Sequence, residues 1–127
     1  MKNKVQIHQF DPVIYPFKLW VVISNNIECL GERFKKYPSE KKYKTSVSEK
    51  LVAFVDSVIE IDTRKIGFLV VFQSKKECSV GCISHEATHV SDRVWNYIGE
   101  RAPGKEANAY LVEWIAECIE KVKLGKE

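Results

Sequence analysis

Hydrophobic and polar positions follow a two-residue period in the first half of the chain and a three-to-four-residue period in the second, with the change near Gln73. Lys4-Val5-Gln6-Ile7-His8-Gln9-Phe10 alternates, and Lys18-Leu19-Trp20-Val21-Val22-Ile23 is rich in β-branched and aromatic side chains. Both predict strands, separated by the breaker pairs Asp11-Pro12 and Tyr15-Pro16. Ser24 or Asn25 is a candidate cap for a short helix reaching about residue 34, since Ile27, Leu30 and Phe34 fall on one helical face. Residues 35–50, rich in Lys, Ser, Glu and Tyr and containing Pro38, are too polar to pack and predict a surface loop. Residues 51–61 alternate around Val52, Phe54, Asp56 and Val58, residues 66–72 form an apolar run, and Asp62-Thr63-Arg64-Lys65 between them suits a hairpin turn. These two segments are the expected central strands.

Further on, Val80, Ile83, Ala87, Val90, Val94 and Ile98 recur at helical spacing, with Ser79 as expected N-cap and Gly99 as the stop. Residues 99–104, including Pro103, break that helix. A last helix is expected from about residue 105 to 122, with Ala109, Leu111, Val112, Ile115, Ala116 and Ile119 apolar. Strands first and helices last define an α+β class: a small mixed sheet of about four strands packed against two helices, in a single domain over residues 1–127. That length lies in the usual single-domain range of about 100–150 residues, which leaves no room for a second domain.

Composition narrows the function classes only slightly. Twenty basic residues against 17 acidic ones give a net charge of +3, and outside residues 32–50 the two signs are interleaved, so charge names no partner. Nucleic-acid binding would rest on that basic stretch and on Trp20, Trp95 and Trp114, which sit among apolar residues and are better read as core. No apolar run approaches the roughly 18 residues that span a bilayer, and the start of the chain lacks the apolar region of a secretory signal. Cys29, Cys78, Cys82 and Cys118 have no framework spacing and read as reduced thiols. The expectation is a cytoplasmic protein with neither membrane nor nucleic-acid partners.

Chemistry enters with His85-Glu86-Ala87-Thr88-His89, an H-E-x-x-H motif inside the better-defined helix. Residues four apart share a helical face, so His85 and His89 can direct two imidazoles at one Zn2+ ion. Glu86 lies one step round, placed to act as general base on a metal-bound water. A pair of structural histidines is the plainer alternative. A catalytic zinc takes three protein ligands and keeps one open position, so a third donor is needed. Asp92, on the motif's own helix, suits support of a ligand imidazole by hydrogen bonding better than direct ligation, and Cys78 and Cys82 meet the same geometric objection. Glu106 and Glu113 on the last helix both remain. A tight helical hairpin favours Glu113 slightly, while Glu106 requires the 99–105 connection to run back along the first helix.

The run Ile83-Ser84-His85-Glu86-Ala87-Thr88-His89-Val90, then Tyr97-Ile98-Gly99, then Glu106-Ala107-Asn108-Ala109-Tyr110-Leu111-Val112 resembles small zincin-like metallopeptidases of bacteriophages and bacterial mobile elements, gluzincin in type. Those proteins carry H-E-x-x-H followed by E-x-x-A-Y at the start of the next helix. The likeness covers about the last third of the chain. It implies a zincin-like fold, Zn2+ as cofactor, a peptide or protein substrate, and Glu106 as third ligand beside His85 and His89. The chain departs from thermolysin-like gluzincins in having Tyr110 where an Asp often follows the metal glutamate, and Asp92 is then the candidate for that supporting role. For the oxyanion of amide hydrolysis the candidate donors are Tyr110 and His8. A non-catalytic interaction module on the same scaffold is the competing expectation.

Overall fold

The computed structural model describes residues 5–43 and 52–126, so the first residue of the third expected strand, Leu51, and the 44–50 part of the expected loop lie outside the described residues. The elements run β1 (His8–Phe10), β2 (Lys18–Ile23), α1 (Leu30–Arg33), β3 (Phe34–Lys36), β4 (Ala53–Glu60), β5 (Ile66–Phe72), a one-turn 3-10 helix (Lys75–Glu77), α2 (Val80–Ile98) and α3 (Lys105–Lys123). The class is α+β, as expected, but the mixed sheet has five strands in the order β1-β2-β5-β4-β3. β2 and β5 are parallel and the other pairs antiparallel.

Period-two side chains divide this sheet into two faces, each with its own core. Phe17, Leu19, Val21, Val55, Phe68, Val70 and Phe72 face the helical layer, where Ile83, Ala87, Val90, Val94, Leu111, Ile115 and Ile119 meet them. Trp20, Val22, Val58, Leu69 and Val71 face the other way and are covered by Leu30, Phe34 and Tyr43. β5, buried on both faces and flanked on both sides, has the near-continuous apolar sequence such a position demands. Trp20 and Trp95 are both buried, as their apolar neighbours suggested.

The extra strand corrects two expectations. The helix expected from residue 24 or 25 to about 34 is reduced to the four residues of α1, and at its end Phe34 turns into β3 and stacks its ring 4.9 Å from that of Trp20. The polar loop starts as edge strand: Lys35 and Lys36 pair with Ile59 and Val58, Lys35 also bridges to Lys42, and Tyr43 is buried. An edge strand with lysines projecting from it is hard to distinguish from a loop by composition. Where β3 meets β4, Glu60 accepts from Arg33 Nε at 2.7 Å and from Thr63 Oγ1 at 2.6 Å, which ties α1 to the hairpin turn.

Helix boundaries follow their caps. Ser79 Oγ accepts from the Cys82 amide at 3.1 Å at the start of α2, and Gly99, at φ 79°, ends it in the left-handed conformation that glycine adopts without strain. Gly67 has a packing reason instead: a Cβ there would lie 2.1 Å from the Lys18 carbonyl oxygen and 2.7 Å from the Trp20 ring. Gly67→Ala is therefore expected to destabilise the protein by about 2–3 kcal/mol, the upper range for overpacking, read as a lowered midpoint in urea denaturation.

Candidate functional site

The rotation of α2 about its axis decides which of its residues reach solvent. With Ile83, Ala87, Val90 and Val94 on the sheet and Ser91 and Trp95 turned to α3, His85 and His89 lie on the remaining side, near the rim of β4. Their Nε2 atoms are 3.1 Å apart and their rings meet edge to face. That is the distance of a hydrogen bond between the two rings, and it is close to the roughly 3.3 Å that separates two imidazole nitrogens on one tetrahedral zinc with Zn–N near 2.0–2.1 Å. Ser84 and Thr88, which flank them, turn their hydroxyls back onto the carbonyls of Val80 and Ser84, each at 2.8 Å.

Glu86 is 5% exposed and lines the same cleft, of about 440 Å³, with Val52, Ala53, Val55, Cys82, both histidines and Arg93. No described side chain donates a hydrogen bond to its carboxylate. The far wall of the cleft is β4. Val52 accepts from Gln73 on the β5 side and Ser57 accepts from Tyr37 on the β3 side, so by strand alternation the amides and carbonyls of Ala53 and Val55 point away from β5. β3 pairs only with residues 58–60, which leaves that stretch of β4 edge without a strand partner among the described residues.

Other expected site residues are not brought to the pair. Asn108 faces α2, its Oδ1 accepting from Ser91 Oγ at 2.6 Å and from Trp95 Nε1 at 2.8 Å. Glu106, two residues earlier and so on the opposite side of α3, is exposed, as is Glu113. Tyr110 is 65% exposed. Asp92 is exposed, lines the clefts further along α2 and makes no hydrogen bond to either imidazole. His8 pairs with Val21 on β1, three strand spacings or about 14 Å from β4. Among the described residues no three His, Cys, Asp or Glu side chains form a group able to hold a metal ion. The donor set thus fits zinc at two positions and lacks the third.

Arg93 was not anticipated. It sits four residues after His89 and seven after Glu86, a spacing legible in the sequence; it lines the same cleft and donates from a terminal guanidinium nitrogen to Ser57 Oγ on β4 at 2.8 Å. No protein-family model, curated protein or solved structure matches the chain. Function has to be read from the site itself and from the motif.

Cys82 tests whether a thiolate takes part. Burial, then the nearby Glu86 carboxylate, then Glu77 push its pKa up, and burial raises that of Cys78 to about 11. A raised pKa leaves less thiolate at any given pH, so both thiols are protonated near neutrality in the metal-free protein. Alkylation of Cys82 by iodoacetamide, followed by mass spectrometry, is expected to be slower at pH 8 than that of a free thiol and to rise as pH increases. Cys82→Ala is expected to leave metal binding unchanged.

Proposed function

We propose that this protein is a zinc-dependent hydrolase of peptide bonds, with His85 and His89 holding the ion and Glu86 serving as general base. The observation that carries the reading is the 3.1 Å approach of the two Nε2 atoms beside a buried glutamate, in a cleft walled by a strand edge that has no partner among the described residues. Zinc bound there would supply Lewis acidity and lower the pKa of water towards about 7.

The chain's own residues supply the rest. An extended peptide can add to the Ala53–Val55 edge by backbone hydrogen bonding, which brings its carbonyls over the face of α2 that carries the motif. Glu86 takes a proton from the attacking water as the O–C bond forms and returns it to the amine nitrogen as the C–N bond breaks. Its carboxylate is available for this, being turned into the cleft and free of a competing donor among the described side chains.

A second reading, an interaction module on a zincin-like scaffold, is favoured by one observation: the third donor is absent among the described residues. The two readings part on Glu86. On the hydrolase reading, protein purified without added zinc carries about one ion per chain by elemental analysis, and His85→Ala or His89→Ala loses it. Glu86→Gln keeps the ion and cuts peptide hydrolysis by about a thousandfold, within the range for a general base. Undiminished biological activity in Glu86→Gln would favour the interaction module, and failure to take up zinc on reconstitution would sink the hydrolase. The resemblance names Glu106 as third ligand, whereas the described packing of α3 predicts that neither Glu106→Ala nor Glu113→Ala changes zinc affinity by more than about twofold. A tenfold loss in Glu106→Ala alone, by competition with a chromogenic chelator, would show that α3 does not keep this position when zinc binds.

A further inference from the structure

The groove between α2 and β4 has a step in it. Past the histidines it opens into a cleft of about 640 Å³ lined by Tyr37, Pro38, Ser57, Asp92, Arg93 and Tyr97 among others, and Arg93 lines both parts. By strand alternation the amides and carbonyls of Ala53, Val55 and Ser57 all point away from β5. Ala53 and Val55 have no strand partner among the described residues, whereas the Ser57 carbonyl already accepts from the Tyr37 amide at 3.0 Å. A strand laid along Ala53 and Val55 therefore meets Tyr37 and Pro38 at Ser57 and cannot continue along that edge. The Ser57 amide is left over at this step, with no backbone acceptor among the described residues.

Arg93 stands at the same place. One terminal nitrogen donates to Ser57 Oγ at 2.8 Å, and the guanidinium makes no other hydrogen bond or ion pair among the described residues. Its charge is partly offset. Tyr43, which donates to Asp56 at 2.6 Å on the opposite face, lies within electrostatic range of it, and Asp92 lines the same cleft. Neither carboxylate accepts a guanidinium hydrogen, so most of the forked donor set is unused.

We propose that the β4 edge and Arg93 together bind the free C-terminus of an extended peptide lying parallel to β4. Its last residue donates its amide to the Val55 carbonyl, and its carboxylate accepts from the Ser57 amide and from the unused nitrogens of Arg93. Charge sets the polarity. An antiparallel peptide would bring an ammonium to the step, which the guanidinium repels, whereas a parallel one brings a carboxylate, the group a fork of N–H donors fits. Backbone pairing supplies the remaining affinity, as in other cases of strand addition. The proposal needs neither zinc nor hydrolysis and so stands apart from the hydrolase reading.

The test titrates the full-length protein, with chelator present, into a pool of heptapeptides carrying fluorescein at the N-terminus and randomised at the last three positions. Free-acid and C-terminal amide forms of the pool are compared by fluorescence anisotropy. The acid is expected to bind about ten- to a hundredfold more tightly than the amide, the range for hydrogen bonds to a charged group. Arg93→Gln should bring the acid down to the affinity of the amide, and Arg93→Lys should keep part of the difference. Ala53→Pro, which removes an outward amide and no bond to β5, should weaken both forms together. Thermal melting of each variant reports whether the fold is kept. Equal binding of acid and amide by wild type, or binding of neither, would overturn the proposal. So would an acid preference that survives in folded Arg93→Gln, or unchanged affinities in folded Ala53→Pro. These results leave the hydrolase reading untouched, since that reading fails or stands on zinc uptake and on Glu86→Gln.

Discussion

The packing of one stripe of α2 against one face of the sheet is the constraint on which the site depends. Ile83, Ala87, Val90 and Val94 fit against Val55, Phe68, Val70 and Phe72, and each fully buried aliphatic side chain contributes about 1.5–3 kcal/mol. Turning α2 by one residue, about 100°, would expose this stripe and press His85, His89 or Arg93 into an apolar core. The direction of the two imidazoles is therefore set by hydrophobic burial and needs no metal to define it. Glu86 follows from the same phase, since it falls at the boundary between the buried stripe and the cleft and lines the cleft while nearly buried.

The sheet supplies the second half of the site through an asymmetry in its edge. Unpaired strand edges invite association with other chains, and proteins usually keep them short or covered. Here β3 covers residues 58–60 of β4 and carries lysines, while Ala53 and Val55 have no strand partner among the described residues. Tyr43 and Asp56 brace β4 from the opposite face, and burial, followed by the hydrogen bond between them, pushes the phenol pKa well up. Rigid backing on one face and an open edge beside the other is what a cleft for an extended chain requires.

Much of this scaffold was legible because local signals and burial agreed. Ser79, Gly99, the 62–65 turn and the run in β5 each combined a residue preference with a period, and each lies where expected. The misreadings arose where two periods fit the same residues. Ile27, Leu30 and Phe34 satisfy helical spacing, yet Phe34 is held in a strand by Trp20, a partner 14 residues away that no local window contains. The two imidazoles were legible because their spacing is internal to one helix. The relation of Glu106 to them was not, because it depends on how α3 rotates against α2, and Asn108 rather than the glutamate fills that interface. Arg93 escaped notice as a charge on an exposed helical face, the usual place for such a residue.

Magnitudes clarify what the position of α3 means for a metal site. Drawing Glu106 to the histidines would break the two hydrogen bonds of Asn108, leaving Ser91 and the Trp95 indole unsatisfied at about 1–3 kcal/mol each, and would disturb the burial of Leu111 and Ile115. A complete structural zinc site gains about 10–16 kcal/mol from four ligands, or roughly 2.5–4 for each. One additional carboxylate therefore matches the hydrogen-bond loss alone and falls short once the apolar contacts are included. On this comparison the helical hairpin keeps its packing, and an ion at the proposed site would be held by the two imidazoles without help from α3.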